Sequence, residues 1–143
     1  MKLGGKKVKV VGTISDEIVD KYKLYPYRGK VIVQSFKLYI HIEKHIKEFK
    51  NVNNYYKAIR GIKGIIAYPY FVYYDNLRNS LLYFKQLDEN VCVVVKLILK
   101  KKTNCYVATL YPISKKKIER YLSMDDKMHK WLLSWNKIIK NNQ

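Results

Sequence analysis

Residues 81–111 read LLYFKQLDENVCVVVKLILKKKTNCYVATLY. Three runs rich in branched and aromatic residues, Leu81–Leu87, Val91–Leu99 and Cys105–Tyr111, are separated by the polar stretches Asp88–Asn90 and Lys100–Asn104. Short apolar runs of this composition, bounded by turn residues, predict strands. Consecutive strands joined by turns this short pair antiparallel. The chain therefore predicts a meander, and Pro112 ends it because proline has no N–H to give to a ladder.

Upstream of the meander the apolar period becomes helical. Ser35 can cap a helix running to about Lys50, with Leu38, Tyr39, Ile42, Ile46 and Phe49 on one stripe. Asn54–Ile66 predicts a second helix, weakened near its end by Gly61 and Gly64. Pro69 then breaks any helical continuation into the aromatic stretch Ala67–Asp75. Nearer the start, Val8–Ile14 predicts a short strand, Asp16–Asp20 a helix start, Tyr25–Gly29 a turn and Lys30–Gln34 a brief strand. Downstream, Ser114 can cap a helix to about Leu122. A last amphipathic helix, Asp125–Ile139, carries Met128, Trp131, Leu132, Trp135 and Ile139 on one side. The expectation is an α+β domain with N-terminal helices packed on an antiparallel sheet of about four strands, plus a C-terminal amphipathic helix. Its 143 residues suit a single domain, with a core of about 31–123 and extensions at 1–30 and 124–143.

Charge narrows the class of function. Twenty-nine Lys and Arg against 11 Asp and Glu give a formal +18. A field of that size attracts polyanions at long range, and a nucleic acid is the usual partner of so basic a domain. A coding bias toward Lys, Asn, Ile and Tyr explains lysine over arginine but not the shortage of acids. No apolar run approaches the ~20 residues that cross a bilayer, and Met1–Lys7 lacks the apolar core of a signal peptide. A cytoplasmic protein without a membrane partner is expected. Cys92 and Cys105 fall at positions that do not face each other across their turn, so no disulfide is expected.

Three constellations carry candidate chemistry. In HIEKH, residues 41–45, two histidines four apart lie one above the other on a helix. Glu43 sits about 200° around that helix from His41, so the zinc-protease arrangement does not form. His129 is the one further histidine, and three protein ligands are the usual minimum for a metal, so none is assigned. His45 falls about 70° from the centre of the apolar stripe and His41 about 110°. An imidazole at the edge of the core suits general acid or base work. A solvated helix face carrying two incidental histidines reads the spacing equally well.

Lys96 is a cation inside an otherwise apolar strand, where lysine is unusual. If residue 96 pairs with 107 and 94 with 109, then Lys96, Thr109 and Tyr111 share one face. A one-residue slip separates them, and a lysine on the wet side of a one-sided sheet is the alternative. Fourteen tyrosines, several of them in residues 68–74 between Arg60 and Arg78, supply rings on which unpaired bases can stack, although core rings account for many.

From Val31 on, the chain resembles the phage-associated nucleases grouped with barnase, EndoU, colicin-type and RelE-like toxins. The resemblance lies in HIEKH, IRGIKGIIAYPYFVYYD, LLYFKQLDENVCVVVKL and YVATLYPISKKKIERYL, in that order, over about two thirds of the chain. It implies helices on an antiparallel sheet and toxin-like, metal-independent endoribonuclease activity needing no cofactor. Attack by the 2'-hydroxyl of RNA then leaves 2',3'-cyclic phosphate ends. It also implies His45, Lys96 and Thr109 as catalytic residues, with His41, Arg60 and Tyr111 as further candidates. Arg60, Lys85, Tyr111 and Arg78 are the expected RNA-binding residues. The substrate class is RNA, tRNA or mRNA, with a cognate antitoxin or inhibitor protein as a further partner. The first 30 residues and the Trp131, Trp135 helix have no named counterpart. Two other classes fit the charge: a non-catalytic RNA- or DNA-binding module, and a phage-type interaction or regulatory protein.

Overall fold

The computed structural model describes residues 8–127, so the positions expected on the last helix from Met128 to Ile139, and His129, lie outside the described residues. Two compact units are present, Met1–Ile113 and Ser114–Gln143.

In the first unit, six strands form one sheet: β1 (Val8–Thr13), β2 (Val31–Ser35), β3 (Phe71–Asp75), β4 (Ser80–Gln86), β5 (Asn90–Lys96) and β6 (Cys105–Pro112). Their order is β1-β2-β6-β5-β4-β3. The meander β4-β5-β6 is antiparallel as expected. The sheet exceeds four strands because the chain adds one at each edge. β3 pairs antiparallel with β4 and β1 with β2. β3, FVYYD, is apolar toward both faces, which hides the alternation that marks a half-buried strand. β2 departs from a purely antiparallel sheet, running parallel to β6 for only two pairs, Ile32–Cys105 and Val33–Tyr106.

Val91, Val93 and Val95 of β5 turn to one face and join Leu81, Tyr83, Val107 and Leu110 in the main core. Against that face pack α1 (Asp16–Tyr22), α3 (Val52–Arg60) and α4 (Ile62–Ala67), through Val19, Tyr55, Ala58, Ile62 and Ile65. α4 approaches β1 closely where Gly12 leaves room: a Cβ there would meet Cγ2 of Ile66 at 2.8 Å. α1 is capped by Ser15, which accepts from the Ile18 N–H at 3.3 Å. The helix expected over 54–66 is two helices, since the chain re-caps at Gly61.

The helix expected from Ser35 to Lys50 also breaks. α2 spans Phe36–Ile42, and Glu43–Glu48 continues as a 3-10 helix. Leu38, Ile42 and Phe49 are buried as the stripe requires, while Tyr39 is exposed. The tighter winding ends at Glu48, Phe49 enters the core, and the N–H of Lys50 donates to Glu89 Oε2 at 2.7 Å. Glu89 also accepts from Asn54 Nδ2 at 2.8 Å, and Lys57 pairs with Asp88. The β4–β5 turn thus anchors both ends of the segment between the 3-10 helix and α3.

In the second unit, Ser114 caps a helix through its Oγ, which accepts from the Lys117 N–H at 3.2 Å. The helix runs without interruption over residues 115–127, so the break expected after Leu122 is absent.

Leu110 is fully buried in β6 at the centre of the sheet. Leu110→Ala is expected to lower the unfolding free energy by about 2–5 kcal/mol in a urea titration. Leu77→Ala, at the exposed β3–β4 turn, is expected to change it by less than about 0.5 kcal/mol.

Candidate active site

β6 determines what the neighbouring groups can do. From Cys92–Tyr111 through Val94–Thr109 its pairing with β5 follows the expected register. Between Val94 and Val95 the register shifts: Val95 pairs with Val107 and Lys96 with Tyr106. The expected 96–107 pair is therefore not formed, because Ala108 is an extra residue on β6, a bulge. Side chains on β5 still alternate, so Cys92, Val94 and Lys96 lie on the face opposite the main core, and Thr109 and Tyr111 share it.

Because β2 pairs with only the start of β6, α2 runs on beside the remaining length of that strand. Its Leu38 and Ile42 enter the main core. His45, one turn later, instead meets Tyr111 on the opposite face, with ring centroids 5.9 Å apart. The His45 side chain is 18 % exposed, and its Nδ1 lies 2.6 Å from Glu48 Oε2. A carboxylate only accepts hydrogen bonds, so in the neutral ring Nδ1 carries the proton and Nε2 presents its lone pair. The 3-10 winding matters here, since residues three apart eclipse in it and so superpose His45 and Glu48.

His41 stacks edge-on to His45 at 6.4 Å between centroids. Its pKa is lowered, first by desolvation and then by the positive charge of Lys44 and by His45. Tyr111 in turn hydrogen-bonds the sulfur of Cys92, a thiol that burial pushes up to about 12, so it is protonated at neutral pH and unsuited to act as a nucleophile. Thr109, two residues before Tyr111 on the same face, has a buried Oγ1 with no hydrogen-bond partner among the described residues.

His45, His41, Tyr111 and Thr109 thus form one neighbourhood, and Glu48 joins it although the sequence reading passed over it. Lys96 stands apart. It lies four residues along β5 from the Cys92–Tyr111 row, about 13 Å at strand rise, and its ammonium donates to the Arg78 carbonyl. Arg78 sits with it at the β3–β4 turn, paired to Asp75 at 3.2 Å. Lys85 projects from the core-side face, where it donates to the Tyr68 carbonyl at 2.6 Å. Arg60 is exposed at the end of α3. Among the described residues no three His, Cys, Asp or Glu side chains come together as a metal site. No helix among them is long and apolar enough to cross a membrane.

The family described as phage-Barnase-EndoU-ColicinE5/D-RelE like nuclease 3 (PBECR3) matches residues 8–120. The chain belongs to this family. The match begins at Val8, so β1 and α1 fall within it as well as the motifs from Val31 on. No curated protein and no solved structure matches the chain.

Histidine NMR tests this geometry. His41 has a folded pKa below its ordinary value of 6.5, so protonation opposes folding, and the stability its neutral form contributes is lost as pH falls from 6.5 through the folded pKa. Its ring is expected to titrate below 6.5, and Lys44→Gln to move the midpoint upward; a midpoint above 6.5 contradicts the placement. His45 in its neutral form is expected as the Nδ1–H tautomer, with Glu48→Gln giving a tautomer mixture.

Proposed function

Taking membership of this nuclease family as the premise, we propose that the protein is a metal-independent endoribonuclease, toxin-like in its action, that cuts RNA through the 2'-hydroxyl. The observation that carries the reading is the His45–Glu48 pair held against Tyr111 on β6. RNA brings its own nucleophile, so the protein has to supply proton transfer and charge stabilisation. Nε2 of His45 takes the 2'-hydroxyl proton while that oxygen attacks the adjacent phosphorus. The bond to the 5'-oxygen breaks, and the leaving oxygen takes up a proton from solvent. Glu48 holds the ring in the tautomer this needs and offsets the positive charge it gains, the role a carboxylate has beside any catalytic imidazole.

The lowered pKa of His41 favours its neutral form, which suits a hydrogen-bond donor or second base better than a general acid. Thr109 donates its unpartnered hydroxyl to a phosphate oxygen. Lys96, too far along the strand to share the scissile phosphate with His45, joins Arg78 in holding the backbone to one side of it. Arg60 and Lys85 add to the attracting field at a distance. The formal charge of +18 supports a polyanionic substrate but does not choose between RNA and DNA. A tRNA or mRNA substrate, a cytoplasmic setting and a cognate inhibitor protein accompany the proposal.

End chemistry separates internal attack from hydrolysis by an activated water. Pure protein and RNA, with chelator present, are expected to give 2',3'-cyclic phosphate and 5'-hydroxyl ends by mass spectrometry, and 2'-methoxy RNA to bind uncut. Ends bearing 5'-phosphate, or activity abolished by chelation, overturn the mechanism. His45→Ala is expected to lower kcat about 10²–10⁴-fold with little change in affinity, since general acid–base groups act in the transition state. Lys96→Met is expected to act on KM more than on kcat and to reduce the salt dependence of binding by about 0.7 in log–log slope, one single-strand phosphate contact.

A further inference from the structure

A cleft of the first unit lies at the β3 edge of the sheet. It has a volume of about 600 Å³ and is walled by α1, the end of α4, the Tyr68–Tyr70 loop, the start of β3 and Lys85 of β4. That volume is within the range of small-ligand sites. Its floor is apolar, with Ile18, Ile66 and Phe71, and Tyr68 and Tyr70 at the rim are 76 % and 69 % exposed. Rings this exposed do not serve the core. The Lys21 ammonium sits 5.0 Å from the Tyr22 ring centroid and 5.3 Å from that of Phe71, so cation and aromatic faces are already interleaved. Lys85 gives one of its three ammonium hydrogens to the Tyr68 carbonyl, which fixes that loop and keeps positive charge at the cleft mouth.

The cleft and the candidate active site lie on opposite faces of the sheet: Val72 and Lys85 of the cleft share the core-side face with Tyr83 and Val91, whereas Tyr111 shares the other face with Cys92 and Phe84, both fully buried. An RNA strand that engages both sites therefore passes around the edge of the sheet and not along the Phe84–Cys92 row. We propose that the cleft is a second nucleotide-binding site, which takes an unpaired nucleotide of the same RNA strand whose phosphodiester lies at His45. The base stacks on Tyr68 and Tyr70, its phosphate meets Lys21 and Lys85, and Glu17, the one acid among the lining residues, accepts from an exocyclic amino group. The site would favour substrates single-stranded some nucleotides away from the cut. This inference rests on the RNA reading above.

The test uses 2'-methoxy oligonucleotides, which cannot be cut, in lengths from 2 to about 12 nucleotides, with binding read by fluorescence anisotropy. Wild-type affinity is expected to rise once the strand is long enough to reach the cleft. Tyr68→Ala with Tyr70→Ala, both exposed and outside the core, is expected to lose about tenfold in affinity for long strands and little for dinucleotides. The salt slope should stay unchanged in that variant, because no phosphate contact is lost, and should fall in Lys21→Gln with Lys85→Gln. Ultraviolet crosslinking of a long photoreactive strand should mark the peptide holding residues 68–70. Equal affinity of wild type and the tyrosine variant at every length, with crosslinks away from residues 68–70, overturns the second site and leaves the RNA reading standing. No binding of any length by the wild type overturns both.

Discussion

A parallel pairing only two residues long, Ile32–Cys105 and Val33–Tyr106, is the constraint on which the candidate site depends. Had β2 continued beside β6, its ladder would have occupied the edge that α2 fills. Because β2 stops at Ser35, the chain turns into a helix that lies against β6, sends Leu38 and Ile42 into the core, and delivers His45 to the far face. The 3-10 segment follows from the same geometry. It must carry the chain from that edge to Lys50, where Glu89 of the β4–β5 turn holds it, and its winding sets Glu48 under His45. The geometry proposed for proton transfer thus rests on backbone anchoring at both ends rather than on a loop.

Charge is arranged in the opposite way, spread over the chain instead of gathered at one point. Lys96 and Arg78 stand at one end of the sheet, Lys21 and Lys85 near the β3 edge, and Arg60 at the end of α3. On the proposed reading, a polyanion is held at several places on such a surface, apart from the His45 neighbourhood. Five of the eleven acids have structural duties: Asp16 and Asp20 bind Arg28, Asp75 binds Arg78, and Asp88 and Glu89 clamp the α3 segment.

The meander was legible in the sequence because its strands are β-rich and its turns are short and polar, and the register through Cys92–Tyr111 and Val94–Thr109 followed from counting across the turn. Counting failed at Ala108, since a bulge depends on how β6 bends against two neighbours and leaves no mark in a single strand. The Ser114 cap and the pairing of His41 with His45 were also legible from local spacing. Glu48 was not, because a continuous α-helix was expected where the chain tightens, although a carboxylate three residues after a histidine was a signal that could have been used. β3 escaped notice because an edge strand apolar toward both faces has no alternation to read. The 94–109 pairing and the position of Lys96 illustrate the difference between face and place: Lys96 is on the face expected of it, yet about 13 Å from the row that holds Tyr111.

The proposed function requires that the His45–Glu48–Tyr111 neighbourhood hold the scissile phosphodiester. The most direct measurement is an NMR titration of the protein with an uncleavable 2'-methoxy dinucleotide, too short to reach other sites along the sheet. The His45 and His41 ring signals and the backbone amides of Thr109 and Tyr111 are expected to shift together and saturate at one affinity. Shifts confined to Lys96, Arg78 and the β3–β4 turn, with the His45 ring unmoved, would contradict it.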